Sequence, residues 1–183
     1  MILTDSTAVC GPAGCRCCYK TPDGFDNIIM TGDGRYINTL RFDRQNTYHE
    51  SFGINEQPVF YDAVQWLEQY FSGRKPEPFP YIKLNGCTGF RRTVIDLLAE
   101  VPYGQTVSYG ELAIRASQFT GTVVSPRAVA AVMSWNPVLI MYPCHRVISS
   151  RGTLCGYSGG LENKKALLEL ESGNSLFSLS TEF

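Results

Sequence analysis

The chain has 183 residues, of which 44% are hydrophobic and 12% aromatic, and its formal net charge is −1. This length suits one domain or two small ones at about 100–200 residues per domain, and the apolar content excludes a largely disordered chain. The longest apolar run of the second half covers residues 128–133. A membrane helix needs ~20 apolar residues, so we expect no membrane partner.

The charge is unevenly distributed along the chain. Residues 1–87 contain eight Lys and Arg against ten Asp and Glu, whereas residues 88–160 contain six Arg against three acidic residues. The near-neutral total argues against a basic nucleic-acid coat protein, but the local excess in the second segment permits contact with a polyanion.

The seven cysteines lack the regular spacing of a disulfide-rich secreted domain. The first residues have neither the basic flank nor the apolar stretch of a secretion signal, so we expect a cytoplasmic protein with reduced thiols. Thiolates at Cys10, Cys15, Cys17 and Cys18 could hold zinc, but the adjacent pair spaces them poorly for a tetrahedral site. We therefore predict free thiols in a mobile tail, with no metal and no cofactor.

The first half of the chain predicts a small antiparallel sheet followed by a helix. Residues 25–31 and 36–42 are rich in strand-forming residues, and Asp33-Gly34 between them suits a hairpin. An apolar stripe at helical spacing predicts a helix over residues 61–71. Three prolines exclude regular structure over residues 73–80 and indicate a linker.

The second half predicts mostly helices. Apolar residues recur at helical spacing from Phe90 to Val101, and Ser108 with Glu111 predicts a capping box that starts the next helix. A polar turn over residues 117–124 leads to Ser125-Pro126, a favoured helix start. Further helices are predicted over residues 127–133 and 162–171.

Two short helices joined by a polar turn form a helix-turn-helix. We therefore predict an α+β fold in two parts. Residues 1–80 form a small antiparallel-sheet subdomain with the linker. Residues 81–183 form a mostly helical, winged-helix-like domain that contains the helix-turn-helix.

The densest chemical signal is the pair Cys144-His145. A free thiol with a pKa near ~8.5 is little ionised at neutral pH, and an imidazole that accepts its proton makes it a nucleophile. We expect the pair on an extended strand, where neighbouring side chains point to opposite faces and a turn or a bridging water must connect them. Glu171 could orient the imidazole as a third member. The alternative is a buried structural cysteine beside a solvent-facing histidine.

Four sequence blocks occur in order along the second half. They are residues 101–113 (VPYGQTVSYGELA), residues 127–133 (RAVAAVM), residues 136–147 (NPVLIMYPCHRV) and residues 157–161 (YSGGL). Together they resemble the 6-O-alkylguanine-DNA alkyltransferase family, the methylated-DNA–protein-cysteine methyltransferases, over residues 58–171.

The resemblance implies a DNA repair protein that moves an alkyl group from O6 of guanine to its own cysteine, with O4 of thymine as a further candidate substrate. Cys144 would accept the alkyl group, His145 would take the thiol proton through a water, and Glu171 would hold the imidazole. Asn136 would pin the turn that packs the helix-turn-helix against the active-site strand.

The resemblance also implies how DNA is bound. Tyr109 would press on the target phosphate and offer its hydroxyl to the guanine, and Arg127 would enter the duplex where the flipped base has left. The guanine would be held by the carbonyls of Cys144 and Val147, the amide of Ser158 and the side chains of Tyr157 and Met133. The implied partner is double-stranded DNA, bound by a monomer through the minor groove without sequence preference.

Elementary chemistry agrees with these implications. An alkyl carbon inside a base stack is hidden, so the nucleotide must be extruded at a cost of a few kcal/mol. Sulfur attack on a saturated carbon leaves a thioether, and nothing in the sequence resembles machinery that would cleave one. We therefore expect one irreversible turnover per molecule.

Several positions depart from the family pattern. The turn between Tyr109 and Arg127 is a few residues longer than in the shortest members. Leu139 stands where some members have proline, and Cys155 where some have glycine. Both lie near the expected pocket and bear on which alkyl groups it tolerates. Trp135 is large for its position.

Three other functions compete with alkyl transfer. A non-catalytic alkyltransferase-like damage sensor lacks the acceptor cysteine, which Cys144 argues against. A Cys-His-Glu hydrolase would need an oxyanion hole and leaves the helix-turn-helix unexplained. A sequence-reading regulator would need more base-edge readers than Arg127.

Overall fold

The computed structural model describes residues 7–11, 14–45 and 57–173. The chain divides into two compact units, Met1–Asn85 and Gly86–Phe183. Antiparallel strands occur in the first and helices dominate the second, so the predicted α+β class is confirmed. Within the described ranges, every helix is too short or too polar to span a bilayer.

The first unit contains an antiparallel sheet in the order β1-β2-β3-β4. The predicted hairpin is formed by β3 and β4, which are connected by residues 33–36, including Asp33 and Gly34. Alternating burial along β3 places Ile28 and Met30 in the core. The elements are β1 (Thr7–Gly11), β2 (Gly14–Tyr19), β3 (Ile28–Gly32), β4 (Ile37–Phe42) and α1 (Pro58–Phe71).

The cysteine-rich segment differs from the prediction of free thiols in a mobile tail. Cys15, Cys17 and Cys18 lie in β2, which pairs with β1 on one side and β3 on the other. Cys17 and Cys18 are free and buried, and burial raises the pKa of Cys17 to about 12. Cys15 is disulfide-bonded, and its backbone partner across the ladder is Cys10. The side chain of Cys10 lies outside the described residues.

The second unit packs four helices around a core that includes Leu98, Leu112, Val129 and Leu167, all fully buried. This unit also contains two short strands that pair in parallel. The elements are α2 (Phe90–Ala99), β5 (Val107–Ser108), α3 (Tyr109–Thr120), α4 (Pro126–Trp135), β6 (Val147–Ile148) and α5 (Leu161–Ser172).

The predicted start signals of α3 and α4 are both present. The Glu111 amide donates to the Ser108 hydroxyl over 3.1 Å, and the Ser108 amide donates to the Glu111 carboxylate over 2.8 Å. The Ser125 hydroxyl accepts from the Ala128 amide over 3.2 Å, and Pro126 begins the helix. These bonds satisfy amides that have no partner inside the first turn.

Helix α3 continues to Thr120, into the polar turn that was predicted over residues 117–124. The hydroxyls of Ser117 and Thr120 donate to carbonyls four residues earlier, over 2.8 and 2.9 Å, so these polar side chains sit within the helix instead of breaking it. Gly121 ends the helix with a left-handed backbone (φ 68°), which glycine adopts without steric cost.

We predict that Ser125→Ala lowers the free energy of unfolding by about 1 kcal/mol, because it removes the side-chain cap of α4. Urea denaturation of both proteins measures the difference. Ser134→Ala is the matched control, because the Ser134 hydroxyl bonds within the same helix to the Ala130 carbonyl and its loss leaves no amide unsatisfied. Equal losses for both variants would contradict the capping role.

Candidate active site

The segment between α4 and β6 contains Cys144 and is built from tight turns. The Met141 amide donates to the Leu139 carbonyl over 2.8 Å around Ile140, whose φ is 68°. A β-branched residue in this left-handed region is strained, at a cost of order 1–3 kcal/mol. Ile140 is 1% exposed, so its buried side chain helps to hold the strained backbone.

The expectation that Cys144 lies on an extended strand is wrong. Cys144–Arg146 form one turn of 3-10 helix, closed by the Arg146 amide donating to the Pro143 carbonyl over 2.9 Å. Pro143 (φ −82°, ψ 59°) turns the chain immediately before the cysteine. The strand β6 starts only at Val147.

Asn136, the residue after the last turn of α4, ties this segment together. Its side chain is completely buried. Its carbonyl oxygen accepts from the Val138 amide over 3.1 Å, and its Nδ2 donates to the Tyr142 carbonyl over 2.9 Å and to Cys144 Sγ over 3.2 Å. One amide therefore shapes the turn and also contacts the sulfur.

The Cys144 thiol is 2% exposed. Burial raises its pKa to about 11, while the Asn136 hydrogen bond and the positive charge of Lys164 act in the opposite direction. A thiolate formed here is thus stabilised by an amide donor and an ammonium group.

His145, Arg146 and Glu171 form a buried polar cluster. His145 Nε2 lies 2.8 Å from Glu171 Oε1, and Arg146 Nε and one terminal nitrogen each donate to a Glu171 oxygen over 2.9 Å. The other terminal nitrogen donates to the Val101 carbonyl over 2.6 Å. The Gly104 amide donates to Glu171 Oε2 over 3.1 Å. Glu171 is thus held by four hydrogen bonds from three residues.

The pKa values of both His145 and Glu171 are lowered, which favours a neutral imidazole and an ionised carboxylate. Burial lowers the pKa of His145, with Glu171 opposing that change only in part. Burial alone would raise the pKa of Glu171, but His145 and the two Arg146 hydrogen bonds hold it well below its usual range. A neutral imidazole at pH 7 supplies little attraction, so we assign the lowered pKa of Glu171 to the Arg146 guanidinium.

Arg146 and Lys164 are site residues that the sequence analysis missed. Lys164 is completely buried, and its ammonium donates to the carbonyls of Val147 over 2.7 Å and Cys155 over 2.9 Å. The available signal was its position on the apolar stripe of α5, three and four residues before Leu167 and Leu168. A lysine at such a position is buried and needs acceptors.

Aromatic side chains lie around the buried thiol and imidazole. The Tyr157 ring meets the His145 ring edge-on, with centroids 6.4 Å apart. Its hydroxyl is buried and has no hydrogen-bond partner among the described residues. Burial raises the pKa of Tyr109, the first residue of α3, and a hydrogen bond with the Cys155 side chain raises it further.

The remaining predicted residues are distributed between core and surface. Met133 and Val147 are buried, and the Val147 carbonyl already accepts from Lys164. Ser158 and Arg127 are exposed, and Arg127 belongs to the first turn of α4. The structure therefore joins Asn136 to Cys144 and His145 to Glu171 through hydrogen bonds, while Arg127 faces solvent.

We predict that Glu171→Gln costs about 3–5 kcal/mol of unfolding free energy at pH 7, because it leaves the Arg146 cation buried without its partner. The native pKa of Glu171 is lowered, so its stabilisation is complete above the unfolded pKa of about 4.3 and is lost as the pH falls towards the native value. The gap between wild type and variant should therefore narrow in acid.

Urea denaturation across this pH range measures that gap. Glu169→Gln is the control, because Glu169 lies half-buried on the same helix, 4.0 Å from the exposed Lys165, and should change stability by less than about 0.5 kcal/mol. A gap that stays constant with pH would exclude an ionised Glu171 as the source of the stability.

Comparison with known proteins identifies the family. Residues 89–173 match the model of the 6-O-methylguanine DNA methyltransferase DNA binding domain. A methylated-DNA–protein-cysteine methyltransferase of Mycobacterium leprae is 39% identical over 164 residues, covering 89% of this chain and 96% of the relative.

Solved structures agree with the sequence match. A crystal structure of the Mycobacterium tuberculosis O6-methylguanine methyltransferase superposes with a TM-score of 0.67 at 34% identity, covering 94% of this chain and 95% of the other. The same organism's protein in complex with DNA gives a TM-score of 0.67 at 33% identity, with 92% of each chain covered. The chain therefore belongs to the methylated-DNA–protein-cysteine methyltransferase family.

Proposed function

We propose that this protein repairs DNA by transferring an alkyl group from O6 of guanine to Cys144. Family membership supports the reaction class. The observation that carries the assignment to Cys144 is its position in the site. It is a free thiol that accepts a hydrogen bond from Asn136 and is followed by an imidazole bonded to a buried carboxylate.

The transfer is a substitution at a saturated carbon. The Cys144 sulfur forms a bond to the alkyl carbon as the bond from that carbon to O6 breaks, and the electron pair of the broken bond stays with the guanine. The thiol proton passes through a water to His145. The guanine gains a proton from the Tyr109 hydroxyl, and Tyr109 is then reprotonated by solvent. The products are a thioether and an unmodified guanine.

Glu171 decides which nitrogen of His145 takes part. Nε2 faces the carboxylate, so Nδ1 is the ring nitrogen that would accept the proton of the Cys144 thiol. The lowered pKa of His145 keeps the ring neutral at pH 7 and able to accept. Once protonated, the imidazolium is stabilised by the Glu171 carboxylate beside it.

The DNA side of the proposal rests on α4. Arg127 is exposed at its first turn, where the side chain can enter the stack left by an extruded base. The helix also exposes Ala131 and Ser134, small side chains that suit a minor groove about 6 Å wide. Few base-edge readers lie on this surface, which supports binding without sequence preference.

Two alternatives are disfavoured by particular residues. An alkyltransferase-like sensor would lack an acceptor, whereas Cys144 is present with a hydrogen-bonded sulfur. A Cys-His-Glu hydrolase would need an oxyanion hole for its acyl intermediate and would leave the helix-turn-helix unexplained. Alkyl transfer instead leaves a thioether on Cys144, which these side chains cannot hydrolyse. The reaction we propose therefore consumes one protein molecule for each lesion.

We predict that incubation with a duplex containing O6-methylguanine adds a single methyl group to the Cys144 peptide, in one-to-one yield. Peptide mass spectrometry measures the adduct. Cys144→Ala should abolish transfer and retain duplex affinity, because the thiol is buried away from the exposed face of α4. Cys155→Ala is the matched thiol control and should still be methylated at Cys144. Multiple turnovers, or methylation at another residue, would refute the assignment.

Arg127→Ala should slow transfer from a duplex by roughly one to two orders of magnitude, on the scale of a few kcal/mol for base extrusion. Transfer from the free O6-methylguanine base should be unchanged, because no stack has to be opened. Single-turnover rates with both substrates give the comparison. Equal losses would show that Arg127 acts within the pocket and not on the duplex.

A further inference from the structure

The turn that joins α3 to α4 displays two large apolar side chains to solvent. Phe119 is 74% exposed and Val123 is 99% exposed. Phe119 is in the last turn of α3 and Val123 is in the loop that follows it, and we name residues 119–123 the α3–α4 turn.

Hydrogen bonds brace the α3–α4 turn from within. The Ser117 hydroxyl donates to the Ala113 carbonyl over 2.8 Å and accepts from the Val124 amide over 2.9 Å. The Thr120 hydroxyl donates to the Ala116 carbonyl over 2.9 Å and lies 3.1 Å from the Thr122 hydroxyl. The polar side chains of this segment are thus used to hold its backbone, while Phe119 and Val123 are left in water.

The position of the turn relates it to DNA. It runs into Ser125, the cap of α4, and Val123 precedes Arg127 by four residues. Between Ala116 and Asn136 the only charged residue is Arg127. No carboxylate of this segment would therefore repel a phosphate backbone, and its positive charge favours one.

We propose that the α3–α4 turn is a second contact with duplex DNA, in which Phe119 and Val123 pack against deoxyribose rings beside the lesion. This inference rests on the proposed function. The C–H edges of deoxyribose are apolar and recur at every nucleotide, so such a contact adds affinity without sequence preference. Apolar side chains also contact DNA in proteins that bind the minor groove, where they insert between base steps.

The test is the double variant Phe119→Ser with Val123→Ser. Fluorescence anisotropy with a duplex containing O6-methylguanine measures the Kd at several salt concentrations. We expect the affinity to fall about tenfold. The slope of log Kd against log salt should stay unchanged, because neutral side chains release no counterions. Transfer from the free O6-methylguanine base should proceed at the wild-type rate.

Three further variants serve as controls for the measurement. Tyr61→Ser removes an aromatic side chain that is 64% exposed on α1, outside the matched DNA-binding domain, and should leave the Kd unchanged. Arg127→Ala should weaken binding and also reduce the salt slope. Val123→Thr, which keeps the side-chain shape, gives a smaller loss of affinity if the double variant does not fold.

Three outcomes would overturn the inference. The first is a Kd equal to that of the wild type both in the double variant and in Val123→Thr. The second is a loss of affinity with a reduced salt slope. The third is self-association of the wild-type protein without DNA, which the double variant abolishes. The last would assign the surface to a second copy of the chain. Failure of the proposed function would appear separately, as absence of transfer to wild-type Cys144 from either substrate.

Discussion

The buried pairing of Arg146 with Glu171 is the interaction on which the site depends. The guanidinium binds both carboxylate oxygens and the Val101 carbonyl, so it connects the turn after Cys144 to α5 and to the end of α2. An isolated carboxylate could not remain ionised at this depth. Because Arg146 keeps Glu171 charged, one nitrogen of His145 has a fixed partner, and in the proposed reaction the other nitrogen is left to accept the proton of the neighbouring thiol.

The thiol itself is balanced between opposing effects. Burial protects Cys144 from adventitious chemistry and raises its pKa, which makes spontaneous ionisation rare. Asn136 and Lys164 offset part of that effect by a hydrogen bond and a positive charge. A site of this kind favours the thiolate only when a proton acceptor and a substrate are both in place, which suits a protein that is consumed by its reaction.

Local signals in the sequence predicted the helices well, because the caps at Ser108 and Ser125 act within one turn. The 3-10 turn at Cys144 escaped prediction because it is imposed by the buried Asn136 and by Pro143, not by strand propensity. Strand β2 was missed because it is held by pairing with β1 and β3, and its cysteines show no alternating apolar pattern that would indicate a strand. Lys164 was missed because residue type alone places a lysine at the surface, and only tertiary structure supplies its two carbonyl acceptors.

The backbone conformation of Ile140 shows that the geometry around the cysteine depends on the fold of the whole domain. Its backbone is one that isoleucine rarely adopts in isolation, and the turn containing it sets where the following cysteine points. A short synthetic peptide spanning this motif would relax into other conformations. The sulfur's alignment is therefore a property of the folded domain, and an excised segment would carry the same atoms without the same reactivity.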